Sequence, residues 1–185
     1  MENNYTSLTQ NQKLLWIGQE LNPESPMYNM VMTYDLKIPI DVNHFEKAFE
    51  ELLYRYDALR SVFVVKEGEP FQLFLQDHNY ILEIVDFSNE QDPIAVYEVW
   101  KKDRVAKKFD ITTCLLDSVL IKLSTSHYVW YINQHHLITD AWSNGILFSA
   151  ITNLYQKSKN GEPLRTLEVF PSYKDFVNKQ KINTK

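Results

Sequence analysis

Two apolar runs, residues 115–123 and 128–133, flank the short polar segment Ser124-Thr125-Ser126. Each run has the length of a strand and the spacer has the length of a turn. Together they predict an antiparallel hairpin. The second run then feeds Gln134-His135-His136-Leu137-Ile138-Thr139-Asp140-Ala141-Trp142-Ser143, just before a helical pattern. An apolar strand that runs into a polar turn is a place where a chain can set an acid or base to meet a substrate.

The rest of the chain reads as strands and helices in mixed order. Thr9 and Gln12 have the spacing of a capping box, and Leu14, Leu15, Ile17, Gly18 and Leu21 follow at helical intervals. Asn22-Pro23 ends that helix. Residues 29–37 predict a strand with Met30, Met32, Tyr34 and Leu36 on one face. Asp41 predicts a cap for a helix that buries Phe45, Ala48, Phe49, Leu52, Leu53 and Tyr56. A strand over 59–65, a hairpin turn at Glu67-Gly68-Glu69-Pro70 and a return over 71–75 come next, then a short strand at 81–85 and a helix over 92–108. The last long helix starts near Asp140, with Trp142, Ile146, Leu147, Ala150, Ile151 and Leu154 as its apolar stripe, and stops at Lys159-Asn160-Gly161. Residues 164–170 read as a loop, and Tyr173-Lys174-Asp175-Phe176 opens a further element. This order predicts a mixed α/β lobe, an α+β sandwich whose mostly antiparallel sheet is covered by helices.

Composition narrows the function. The 185 residues suit one domain or one lobe, and 44% hydrophobic residues predict a packed core. A net charge of -5 argues against a general nucleic-acid binder. The local exception is Lys101, Lys102, Arg104, Lys107 and Lys108, read as a solvated helix face. No apolar run approaches the ~18 residues of a membrane span, and residues 1–4 lack the pattern of a signal peptide. A soluble cytoplasmic protein without a membrane partner is expected. Cys114 is the single cysteine, which excludes an intrachain disulfide, and its apolar setting predicts a core residue. With 4 glycines the chain has no phosphate-binding glycine loop.

Successive side chains of a strand point to opposite faces, so His135 and His136 cannot both serve one site. This disfavours a metal centre on the pair, and His44, His78 and His127 have no spacing that helps one. Three readings remain for the segment: a structural histidine with Asp140 as a helix cap, a general base, or a metal ligand. A serine nucleophile at Ser143 lacks the strained Gly-x-Ser-x-Gly elbow.

The run His135-His136-Leu137-Ile138-Thr139-Asp140-Ala141 resembles the HHxxxDG signature of condensation domains in nonribosomal peptide synthetases. Leu8-Thr9-Gln10-Asn11-Gln12-Lys13-Leu14-Leu15-Trp16 is similar to that family's first motif. Arg55-Tyr56-Asp57-Ala58-Leu59-Arg60-Ser61-Val62-Phe63 resembles its second, RHExLRTxF. Phe109-Asp110 falls at the family's Phe-Asp pair, and Tyr173-Lys174-Asp175-Phe176-Val177 resembles the start of its fourth motif. The matches keep the family's order and cover essentially the whole chain.

The resemblance implies a lobe like chloramphenicol acetyltransferase, one of two in a condensation domain. Residues 1–170 would be the N-terminal lobe and 171–185 the start of the connection to a C-terminal lobe. It implies amide formation between a donor thioester and an acceptor amine, each delivered by a carrier protein on a phosphopantetheine arm. No directly bound cofactor or metal is implied. The C-terminal lobe, the carrier proteins and an adjacent adenylation domain are the implied partners. His136 would position the amine or take its proton. Asp140 would be architectural, paired with Arg60 or, second, Arg55, at a cost of roughly 3–5 kcal/mol if broken. His135, Ala141, Trp142 and Ser143 would shape the site. Ala141 stands where the family has glycine, so its methyl is expected to narrow the donor channel. Tyr56-Asp57 replaces His-Glu, and Thr113-Cys114-Leu115 departs from the family's Gly-Pro. Epimerising or ester-forming relatives, and a lobe that only binds carriers, are the alternatives. A single lobe is expected to expose half of an apolar tunnel.

Overall fold

The computed structural model describes residues 5–76, 80–165 and 170–183. His78 and most of the loop expected over 164–170 lie outside the described residues. In chain order the elements are β1 (Tyr5–Ser7), α1 (Gln10–Leu21), β2 (Asn29–Leu36), α2 (Val42–Arg55), a 3₁₀ turn (Asp57–Arg60), β3 (Ser61–Lys66), β4 (Glu69–Phe74), β5 (Glu83–Asp86), α3 (Pro93–Arg104), β6 (Leu116–Ser124), β7 (His127–His135), α4 (Ala141–Lys159) and α5 (Tyr173–Asn183).

The expected hairpin forms from β6 and β7, running from Leu116 opposite Gln134 to Ser124 opposite His127. β2 joins β7 antiparallel, and β5 joins β6 in parallel, giving the order β2-β7-β6-β5. A second, antiparallel sheet has the order β1-β4-β3. Its β3–β4 hairpin needs only Glu67 and Gly68 as the turn, at φ 53° and 82°. Positive φ at both central residues is what a tight primed turn demands. Glu69 and Pro70, expected in the turn, already belong to β4.

The hairpin is buried on both faces. Along β7, Tyr128, Trp130 and Ile132 point into the core shared with α2 and α4, while Val129 and Tyr131 point into the cluster under α3. Trp130 and Tyr131 are both fully buried. From α2 come Phe45, Ala48, Phe49, Leu52 and Leu53, all buried as their spacing predicts. Asp41 caps that helix by accepting from the His44 amide at 3.2 Å. No helix among the described residues is long and apolar enough to cross a membrane.

Four expectations about packing need correction. In α4 the inward stripe is Leu147, Ile151 and Leu154, whereas Trp142 and Ile146 are exposed. They lie four residues apart and share the neighbouring, outer side of the helix. In α1 the inversion is larger: Leu14, Ile17 and Leu21 face outward, and Gln12 and Gln19 are buried. Cys114 lies before β6 and is exposed, not in the core. The basic cluster is not simply a solvated face. α3 ends at Arg104, and Arg104 and Lys107 converge on the buried carboxylate of Asp117. Arg104 does so through Nε and Nη2, both at 2.8 Å, and Lys107 through Nζ at 2.7 Å. Burial pushes Asp117 up, but hydrogen bonds from Arg104 and Lys107 outweigh it and leave the carboxyl below its usual range. A carboxylate this buried requires such partners.

Candidate functional site

The site begins where β7 runs out. The His135 amide donates to the Leu115 carbonyl on one neighbouring segment at 3.0 Å. The His136 amide donates to the Tyr28 carbonyl on the other at 2.8 Å. Sheet pairing therefore persists through both residues, and their side chains diverge as strand geometry predicts.

His135 turns into the protein and is buried. Its Nδ1 accepts from the Leu137 amide at 3.1 Å, so the ring proton sits on Nε2, which donates to Gln19 Oε1 at 3.0 Å. The rings of Tyr28 and Phe109 flank it at 5.9 and 6.4 Å. Burial, with a smaller contribution from His136, lowers its pKa to about 4. His135 is thus a neutral structural group.

His136 is half-buried and turns the other way. Its Nδ1 lies 2.8 Å from the Thr139 carbonyl, which can only accept. Nδ1 therefore carries the proton, and Nε2 keeps the lone pair of the neutral ring. The imidazole lines a crevice of about 520 Å³ together with Thr9, Gln12, Leu15, Ala58, Thr139 and Tyr173. A neutral imidazole whose tautomer is set by a backbone carbonyl is a poised proton acceptor.

Asp140 is the N-cap of α4. Its Oδ1 accepts from the Ser143 hydroxyl at 2.6 Å and from the Ser143 amide at 2.8 Å, and these bonds hold the carboxyl below its usual range. Against the expected pairing, no ion pair among the described residues joins Asp140 to an arginine. Arg60 instead donates through Nε to the Leu75 carbonyl at 2.9 Å and through Nη1 to the carbonyls of Leu53 and Tyr54. Arg55 bonds Glu51 at 2.8 Å and the Leu164 carbonyl at 2.6 Å, and lies 4.1 Å over the Phe170 ring. The reason is local. The first amides of α4 lack helical acceptors and stand beside Asp140, while the last carbonyls of α2 lack donors and stand beside Arg60. A cap of this kind contributes about 0.5–2 kcal/mol, less than the broken buried pair would cost.

Ser143 also lines the crevice, but its hydroxyl is committed to the cap. Ala141 is the first residue of α4 and is exposed. With the exposed Trp142 it lines a second groove of about 630 Å³, beside Arg55, Tyr56 and Ile146. The Ala141 methyl therefore does not narrow the crevice at His136. The crevice brings together His136, Asp140 and Ser143. Ala141 and Trp142 lie on the adjoining groove, and His135 and Arg60 line neither.

Two supporting roles escape the sequence. Gln19 bonds a histidine 116 residues away, and only its polarity within an apolar helical run marks it. Asp57 is the other. Its carboxylate accepts from the Ser172 hydroxyl at 2.6 Å, the Tyr173 amide at 2.8 Å and the Lys174 amide at 3.3 Å. It thereby fastens the start of α5, whose Tyr173, Phe176 and Gln180 wall the crevice. The Tyr56-Asp57 departure from the family's second motif was the available signal.

The family model of the condensation domain matches residues 2–185. The chain belongs to the condensation-domain family. It is 31% identical over 178 residues to a plipastatin synthase of Bacillus subtilis (strain 168), a match that covers 94% of this chain and 7% of that protein. It is 29% identical over 171 residues to a linear gramicidin synthase of Brevibacillus parabrevis, covering 90% of this chain and 3% of that one. Among solved structures, the starter condensation domain of rhizomide synthetase superposes with a TM-score of 0.90 at 20% identity. That match covers 98% of this chain and 46% of the other. The chain thus has the fold of one half of a condensation domain and spans a small fraction of the synthetases it resembles.

Proposed function

We propose that this member of the condensation-domain family supplies one wall of a site that joins a carrier-bound acyl or peptidyl thioester to a carrier-bound amine. Residues 1–170 act as the N-terminal lobe, and the segment from 171 leads toward a second lobe that completes the tunnel. The observation that carries this reading is the 2.8 Å approach of His136 Nδ1 to the Thr139 carbonyl. The Thr139 carbonyl occupies the Nδ1 proton and leaves the Nε2 lone pair for the reacting amine at the crevice.

The steps follow from that geometry. The amine nitrogen attacks the thioester carbonyl as its proton passes to His136 Nε2. A C–N bond forms, the C–S bond breaks, and the proton leaves with the phosphopantetheine thiol. No covalent acyl-enzyme is required, in keeping with a Ser143 hydroxyl bound into the helix cap. Phosphopantetheine enters with the carriers as part of the substrate. Two carrier proteins, the second lobe and a neighbouring adenylation domain are the partners this role needs, and the lobe by itself is expected to be inactive.

The test is amide formation by the lobe joined to its second lobe, with both carriers loaded. His136→Ala is expected to lower the rate by roughly 10²–10⁴-fold. An unchanged rate in a folded variant would remove His136 from the chemistry.

A further inference from the structure

Gln12 and Gln19 stand seven residues apart, about two turns of α1, and both are buried on its inward side. Gln12 Nε2 donates to the Leu137 carbonyl at 3.0 Å. Gln19 Oε1 accepts from His135 Nε2 at 3.0 Å, and His135 Nδ1 in turn accepts from the Leu137 amide at 3.1 Å. Both backbone groups of Leu137 are therefore anchored to α1, one directly and one through the His135 ring. The two anchors bracket His136. We infer that Gln12 and Gln19 are positioning residues that set the direction in which His136 presents Nε2. This rests on the proposed role of His136.

The surrounding bonds explain why side chains must do this work. Among the described residues the ring of His136 is tied only at Nδ1, to a carbonyl within the same turn. The turn is closed by the Ile138 amide on the His135 carbonyl at 3.0 Å and held to the sheet at its start by the His136 amide on the Tyr28 carbonyl at 2.8 Å, so beyond His136 its tilt rests on the bonds made to Leu137. Gln12 is itself fixed on every side. Its Oε1 accepts from the Thr9 amide at 3.0 Å and from Gln72 Nε2 at 3.3 Å, and its Nε2 also donates to Gln72 Oε1 at 3.1 Å. Gln72 is fully buried and donates onward to the Ser7 carbonyl at 3.1 Å. The amide of Gln12 thus uses both its donors and its acceptor, and one side chain joins the helix cap, the small sheet and the histidine turn. Gln19 Nε2 donates to the Asn22 carbonyl at 3.0 Å, which fixes the orientation of its amide. A loose turn would let the imidazole sample directions that miss the amine, and small misplacements are costly in rate.

The direct test is NMR of the histidine rings in this chain, nitrogen shifts and ring NOEs together, with Gln12→Met and Gln19→Met. The wild type is expected to show His136 as the Nδ1–H tautomer and His135 as the Nε2–H tautomer. Each methionine variant is expected to keep that His136 tautomer, because the Nδ1 bond to the Thr139 carbonyl is internal to the turn, and to change the NOEs from the His136 ring to its crevice neighbours such as Leu15 and Tyr173. If a methionine variant fails to fold, Gln12→Asn or Gln19→Asn takes its place, keeping the amide but not its reach. Folded variants with unchanged His136 ring NOEs would overturn the inference. In the two-lobed enzyme the methionine variants should lower kcat by roughly ten- to a hundred-fold and leave KM for the carriers unchanged. A rise in KM alone would also overturn it. Should His136→Ala leave the rate intact while the ring signals still respond, the proposed chemistry fails and the positioning stands.

Discussion

Helices α1 and α2 carry similar amounts of apolar sequence and use it in opposite ways. α2 hides Phe45, Ala48, Phe49, Leu52 and Leu53 and shows Asn43, Lys47, Glu50 and Tyr54 to solvent. α1 hides Gln12 and Gln19, packs Leu15 and Trp16 partly against the core, and leaves Leu14 70%, Ile17 49% and Leu21 75% exposed. The difference lies in what each helix covers. α2 lies on the apolar face of Trp130 and Ile132 and needs only bulk. α1 lies on the histidine turn, whose buried Leu137 carbonyl and His135 N–H would each be costly without a partner. One helix stabilises the lobe, and the other shapes the site.

The strongest way to break that contrast is to remove bulk from α2. Phe49 is 2% exposed and touches the largest apolar cluster. Phe49→Ala is expected to cost about 3–5 kcal/mol, from lost burial plus the cavity left behind. Urea unfolding measures it. A loss below ~1 kcal/mol would mean that α2 is no more than a cover.

The polar underside of α1 should show itself through pH. His135 has a pKa of about 4 in the folded lobe against 6.5 in the reference state. Between those values the unfolded chain binds a proton that the folded chain refuses. The stabilisation is therefore complete above about pH 6.5 and is lost as pH falls toward 4, by roughly 3 kcal/mol. Urea midpoints from pH 7 to 4 should converge for wild type and His135→Gln as the pH falls, because the glutamine has no proton to bind. Parallel curves would show that His135 is not buried as described.

What was legible in the sequence follows the same division. Features whose cause is local were readable: the hairpin, the stripe of α2, and the capping roles of Thr9 and Asp41, with the cap at Asp140 among the readings left open. Features settled by a distant partner were not. The outward turn of α1 depends on contacts 116 and 125 residues away, which no local period records. Asp117 draws Arg104 and Lys107 out of what reads as a surface run. β1 is three residues long and exists because β4 offers it an edge. At the site, strand alternation separated the two histidines, and family resemblance singled out His136. The arginine pair carried over with that resemblance is replaced by bonds each group finds closer at hand.

The smallest effect is the sharpest discriminator. If the outward face of α1 contributes nothing to the fold of the lobe, charge can be placed on it freely. Leu14→Lys and Leu21→Lys preserve helix propensity, since leucine and lysine rank together. The lost apolar contact is slight at the exposures observed. Each substitution is expected to move stability by less than about 0.5 kcal/mol, measured by urea unfolding beside Phe49→Ala. A loss above ~1.5 kcal/mol at either position would place the leucine inside the lobe's packing. α1 would then be a second α2, and the burial of Gln12 and Gln19 would need another cause. A negligible loss, set against the several kcal/mol of Phe49, would establish that apolar spacing in α1 marks a surface, and that its two glutamines decide which side faces in.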